Sequence, residues 1–201
     1  GVNMVGYCIK NNDIVENAAK KEVVRRYFNE LCNYKQGISD FDTVQKIKLL
    51  MNELNIDENF LKVVEVSKKA SEKKKTNVIA LELPKGKIIT GKQTDLLSPA
   101  SSVIINAIKE LSKIPDEINL LSPTILEPIL KLRKNNNTLS LQEVLIALAV
   151  CSVTNPSIAS ALEKLEVLKD CEAHATYIVT NGDLKALKSL KINLTCEPNF
   201  Y

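Results

Sequence analysis

The segment Cys171–Tyr201, CEAHATYIVTNGDLKALKSLKINLTCEPNFY, decides the fold. Two apolar runs, Ala173 to Thr180 and Lys191 to Thr195, have the β-branched character of strands. Between them, Asp183 to Leu190 has helical spacing. A connection of about ten residues that carries a helix is what a crossover between parallel strands requires. The segment is therefore predicted to be a parallel β-α-β unit. Cys171 then lies before one strand and Cys196 at the far end of the other. At about 3.3 Å per residue, that separates the two thiols by about 20 Å.

The same segment holds the only histidine, His174, beside Cys171, Glu172, Cys196 and Glu197. Three readings compete for this cluster. Cys-x-x-His with a distant cysteine could ligate a metal. Cys196 or Cys171 could be a nucleophile with His174 as base. The third is structural packing, because free cysteine is among the most buried residue types. The metal reading is the weakest of the three. The spacing is unspecific, there is no CxxC pair, and one histidine cannot make HExxH. The His/Cys-x-Glu…Pro-Cys-x-x-Cys deaminase pattern is absent too. We therefore assign no metal ligands. Glu172, His174, Cys196 and Glu197 stand as the catalytic candidates, and no cofactor is specified.

Upstream, Asn77 to Leu83 and Lys87 to Thr90 flank Pro84-Lys85-Gly86 as a hairpin. Ser98-Pro99, Ser122-Pro123 and Asn155-Pro156 each put a capping side chain before a proline suited to the first helical position. Ser140 with Glu143 forms a capping box. Ile118 to Leu121 is an apolar run predicted to be a short strand. The predicted order from Asn77 is β-β-α-β-α-α-α-β-α-β, an α/β/α layer sandwich with a mixed sheet over residues 76–201. Residues 1–75 form a small helical subdomain. Its helices are marked by a capping pair at Asp13 and Glu16, by Asp42 to Leu54, and by a helix beginning near Asp57 that ends in the lysines of 68–75, read first as a solvated helix end and second as a phosphate-binding tail.

Gly86 to Gln93, GKIITGKQ, nearly matches the phosphate-loop pattern GxxxxGK[ST]. The central residues are strand formers, Gly86 belongs to the hairpin, and glutamine cannot supply the magnesium-binding hydroxyl. What remains is a set of polar groups at strand ends and helix starts. Ligands in α/β folds bind beyond the carboxyl ends of strands, near helix N-termini. Lys92, Thr94, Ser98, Ser122 and Asn155 are accordingly the ligand-binding candidates, for a small anionic or nucleotide-type ligand.

Composition bounds the rest. The chain has 201 residues, 45% of them apolar, a net charge of +3, and 4% aromatics with no tryptophan. Its only arginines are Arg25, Arg26 and Arg133. That is a poor footprint for nucleic-acid binding. Five unpatterned cysteines fit a reducing, cytoplasmic setting rather than a disulfide framework. No apolar run reaches the roughly 18 residues that span a bilayer. The longest, Val144 to Val153, is the expected subunit interface if the chain is instead a non-catalytic, homo-oligomeric assembly module. The chain opens on GVNMVGYCI without an initiator methionine, which suggests a fragment.

GVNMVGYCI, ALELPKGKIITGK, the two LLSP helix starts, EVLIALAV with TNP, CEAH and INLTCEP together resemble the bacterial domain-of-unknown-function 1846 family, also called uncharacterised protein family 0371. The likeness covers essentially the whole chain. It implies a helical subdomain followed by an α/β subdomain similar to the cytidine-deaminase layout. It also implies that this is the C-terminal part of a longer protein whose Rossmann-like N-terminal half is missing. No activity is established for the family. Some members are labelled ATP-dependent zinc peptidases, a label that finds no zinc-peptidase motif here. Gln93 also departs from the Ser or Thr expected after Gly-Lys.

Overall fold

The computed structural model describes residues 11–132 and 138–201. The opening motif GVNMVGYCI and Arg133 lie outside the described residues. The chain divides into two compact units, one ending at Leu61 and the other spanning Lys62–Tyr201.

The first unit is helical. Helix α1 (Asn12–Lys35) begins where the Asn11 side chain accepts from the Ile14 N–H at 3.2 Å. Asn11, rather than the expected Asp13, is thus the cap, because Asn11 alone stands in extended backbone at the boundary. Gly37, with φ of +75°, takes the left-handed turn that ends α1. Asp40 caps α2 (Phe41–Glu53) through the Thr43 N–H at 2.9 Å. Tyr34 and Phe41 pack across that connection, with ring centroids 5.1 Å apart. Asp57 caps a short 3-10 turn, Glu58–Phe60. Val24, Tyr27, Phe28, Val44, Met51 and Leu61 are buried in this unit.

In the second unit α3 (Lys62–Lys74) leads into a four-stranded mixed sheet ordered β2-β1-β3-β4. The strands are β1 (Val78–Glu82), β2 (Ile88–Lys92), β3 (Glu172–Ala175) and β4 (Asn193–Cys196). β1 pairs antiparallel with both β2 and β3, while β3 and β4 are parallel, joined through α8 (Asn181–Ser189). The crossover read from the terminal segment is present. Cys171 precedes β3 and Cys196 ends β4, at opposite ends of the sheet.

Between the hairpin and β3 run α4 (Pro99–Leu111), α5 (Pro123–Lys131), α6 (Leu141–Ser152) and α7 (Pro156–Glu163). All four predicted starts, Ser98, Ser122, Ser140 and Asn155, occupy the N-cap position. The strand predicted at Ile118–Leu121 does not form. Leu120 and Leu121 are buried as irregular chain, and Ile118 is 52% exposed. An apolar run alone cannot tell a strand from a loop whose side chains plug a core. The strand predicted to continue to Thr180 stops at Ala175, beyond which the Ile178 N–H bonds the Asn199 carbonyl instead of a ladder partner.

Strand alternation gives the sheet two unlike faces. Ile79, Leu81, Ala173 and Ala175 face α4 and the helices behind it and join the main apolar core. At Gly91 the packing is closest. A Cβ there would lie 2.1 Å from the Val103 backbone nitrogen, so only glycine lets α4 approach β2. The other face carries Thr90, Ala80, His174 and Thr195 in one row across the four strands. Helix α3 covers that face, in contact with β1, β2 and β3.

Candidate functional site

The structure brings CEAH and TCEP together through their polar residues. His174 is fully buried. Its Nδ1 lies 2.8 Å from Thr195 Oγ1, and its Nε2 lies 3.1 Å from Glu197 Oε1. Lys68 of α3 reaches the same Glu197 oxygen at 2.9 Å. Thr195 Oγ1 also lies 3.1 Å from the Ala173 carbonyl oxygen. A hydroxyl has one proton. Given to Ala173, it leaves Oγ1 to accept from Nδ1–H; turned to the ring, it makes Nδ1 the acceptor. A carboxylate accepts only, so Nε2 donates to Glu197 in either case. Burial pushes the Glu197 carboxyl up, but the hydrogen bonds from His174 and Lys68 outweigh it and hold it below its usual range.

The other terminal candidates flank this network in sequence, Glu172 two residues before His174 and Cys196 between Thr195 and Glu197. Glu172 is buried at the start of β3. Burial pushes the Cys196 thiol up to about 11. A thiol so held is protonated near neutral pH and a weak nucleophile. Cys171 is also shifted up by burial, and then by the nearby Glu82, Glu172 and Asp170. Among the described residues no group of three or more His, Cys, Asp or Glu is arranged to hold a metal ion.

Lys92 and Thr94 stand elsewhere, in a cleft of about 610 Å³ beside the edge strand β2. One wall is β2, with Ile89, Thr90 and Lys92; another is α4, with Ser102, Ile105 and Asn106. Lys74, at the end of α3, and the loop from Asp116 to Leu121 close it. The Asn106 amide donates to the Thr90 carbonyl at 3.0 Å, capping one open group of the sheet edge. Lys87 pairs with Glu110, and Lys109 donates to the Asp116 carbonyl at 2.9 Å. Lys74 and Lys92 have no ion-pair partner among the described residues. Ser102 is 8% exposed, and its hydroxyl has no hydrogen-bond partner.

The other ligand candidates do not line this cleft. Ser98 lines a separate hollow with Ser140, Thr180 and Asp183. That hollow supplies its own negative charge: Asp183 accepts from the Leu141 N–H at 2.6 Å, and Glu143 from Ser140 at 2.8 Å. Ser122 shares a 2.6 Å hydrogen bond with Thr124, and Asn155 is exposed and caps the Ser157 and Ile158 N–H groups. Sequence reasoning missed Thr195 and Ser102, and it ranked a phosphate-binding role for the tract holding Lys68 and Lys74 below a solvated helix end. Thr195 was findable, since strand register sets it opposite His174.

These features define a small α/β unit with a mixed sheet, a buried polar row on one face and an open cationic cleft at one edge. The chain belongs to the DUF1846 family. Residues 59–201 match the family model described as Domain of unknown function DUF1846, C-terminal, and residues 1–55 match Domain of unknown function DUF1846, N-terminal. A UPF0371 protein of Clostridium tetani (strain Massachusetts / E88) is 41% identical over the whole chain, and one of Clostridium botulinum (strain Eklund 17B / Type B) is 45% identical. The chain covers 42% of the length of each. No helix among the described residues is long and apolar enough to cross a membrane.

Proposed function

We propose that this chain is the C-terminal region of a cytoplasmic bacterial protein that binds a small anionic or nucleotide-type ligand in the cleft beside β2. The observation that carries this is the pairing of two lysines without ion-pair partners, Lys74 and Lys92, with the unpartnered Ser102 hydroxyl in one cleft. A buried polar group without a partner costs free energy that a ligand would recover. Lys92 and Thr94 are the ligand contacts in this reading. Ser98, Ser122 and Asn155 are helix caps. Glu172, His174, Cys196 and Glu197 support the sheet rather than react, because His174 is sealed beneath α3.

The remaining length of the relatives, a Rossmann-like N-terminal half in this proposal, would complete the site. The α/β unit would share the cytidine-deaminase layout, a reading favoured by helices on both faces of the mixed sheet. Free Cys32, Cys151, Cys171 and Cys196 fit a reducing compartment.

The test is a thermal-shift titration of the full-length protein with inorganic phosphate and nucleotides. A ligand that binds only the folded state raises Tm. We expect a shift that Lys92→Ala removes. No shift at millimolar ligand overturns the reading. A second reading, a homo-oligomeric assembly module, is favoured by Ile146 and Val150 on α6 and Val153 at its C-cap, which are 59%, 67% and 84% exposed. A sedimentation mass above the monomer that Val150→Glu reduces would support it.

A further inference from the structure

The cleft has a direction, and this narrows the ligand. The Lys87–Glu110 pair joins the hairpin end of β2 to the end of α4, while Gly91 abuts Val103 near the start of α4. α4 therefore runs from the Lys92 end of the cleft toward the hairpin end. At the Lys92 end converge Lys92, Thr94, Ser102 of the early α4 turns, and Lys74, which precedes β1 by a few residues and so lies near the Val78–Lys92 pair. At the far end every cation is engaged: Lys87 by Glu110, Lys109 by the Asp116 carbonyl. Leu97, Ile105, Leu121 and Leu126 supply apolar wall.

Resting on the reading of this cleft as an anion site, we infer that its ligand is a phosphomonoester with an apolar body, bound head first at Lys74, Lys92, Thr94 and Ser102. Two unengaged ammonium groups match the roughly −1.5 to −2 charge of a phosphomonoester at neutral pH. They do not match a triphosphate, whose further charges would meet the Lys87–Glu110 pair. The unpartnered Ser102 hydroxyl completes the head site as a donor to a phosphoryl oxygen. The apolar wall takes the body and gains by its removal from water.

The experiment is calorimetric titration of the full-length protein with three probes: inorganic phosphate, pyrophosphate and phenyl phosphate. Phenyl phosphate is expected to bind about tenfold tighter than phosphate, the order of gain from burying part of one ring. Pyrophosphate is expected to bind no tighter than phosphate. Lys92→Ala weakens all three alike. Ile105→Thr removes the phenyl phosphate advantage and leaves phosphate affinity unchanged. Ile89→Thr, a β-compatible change on β2, repeats that test if the helix variant does not fold. Phosphate binding without the phenyl advantage, or a tighter pyrophosphate, overturns this inference and leaves the anion site standing. No binding of any probe overturns both.

Discussion

Two polar regions of the same unit differ in how completely their groups are satisfied. Between α3 and the sheet, Lys68, Glu197, His174 and Thr195 form a closed chain in which the structure gives each charged group a partner. Beside β2, two ammonium groups and a buried hydroxyl share an open cleft without partners among the described residues. Reactive residue types draw attention to the first region, yet its groups are satisfied and His174 is buried. Lysine and serine look ordinary in sequence, yet the lack of partners at Lys74, Lys92 and Ser102 is what grounds the proposal of a ligand in the second. The type of residue matters less than the accounting of its hydrogen bonds.

The comparison breaks first if the β2–α4 wall can be deformed. Gly91→Val should cost about 3 kcal/mol or more, since overpacking against backbone has no side chain to yield. The measure is the urea unfolding midpoint. A fully stable, soluble Gly91→Val protein would mean that α4 is not set against β2 as described. Next is His174→Ala. Glu197 keeps Lys68 but loses its bond from the ring, and a hydrogen bond to a charged group is worth about 1.5–3 kcal/mol. A loss below about 0.5 kcal/mol, the level of an ordinary surface change, would show the network to be incidental.

Glu197→Gln gives a smaller effect with a pH signature. The folded carboxyl is held below its ordinary value of 4.5, so its contribution is present above that value and lost as pH falls through the lower, folded value. Wild type should exceed Glu197→Gln in urea midpoint at pH 6, and the gap should close below pH 4.5. A gap constant with pH would remove the charged hydrogen bonds from the account. The sole histidine also permits a direct check, since nitrogen NMR should report Nε2 protonated.

Much of the fold was legible because it rests on local signals. Capping side chains before Pro99, Pro123 and Pro156 mark helix starts by rules that act within a few residues. The length of the β3–β4 connection fixed their parallel pairing. The Ile118–Leu121 strand failed because its role is set by distant partners: Leu120 and Leu121 fill the core without pairing. For the proposed site, Lys92 and Thr94 were legible as polar groups leaving a strand, and both line the cleft. Ser98 and Asn155 stand outside that cleft, and their side-chain oxygens cap their own helices. Ser102 was hidden, and Lys74 was visible only as one lysine of a tract read first as a solvated helix end. Nothing local distinguishes a lysine near a cleft from one in water, or a helix serine without a partner from one bonded to its own backbone.

The smallest effect on stability carries the sharpest contrast. Lys92→Ala removes an ammonium group that holds no partner among the described residues, so its unfolding midpoint should stay within about 0.5 kcal/mol of wild type. Phosphate affinity should fall about tenfold, because one charge-assisted hydrogen bond is worth about 1.5–3 kcal/mol and part of that returns as restored hydration. His174→Ala should do the reverse: lower stability, with phosphate affinity unchanged in whatever fraction remains folded. Ser102→Ala completes the comparison. With no ligand bound, removing a buried hydroxyl that lacks a partner should be neutral or slightly stabilising, since an unmet desolvation cost disappears. With phosphate bound, the same change should weaken affinity. A single residue whose loss strengthens the empty protein and weakens the occupied one is the signature of a group kept for its ligand. Were Ser102→Ala instead to destabilise the empty protein, its hydroxyl would have a partner inside the fold, and the cleft would lose its claim to be unsatisfied.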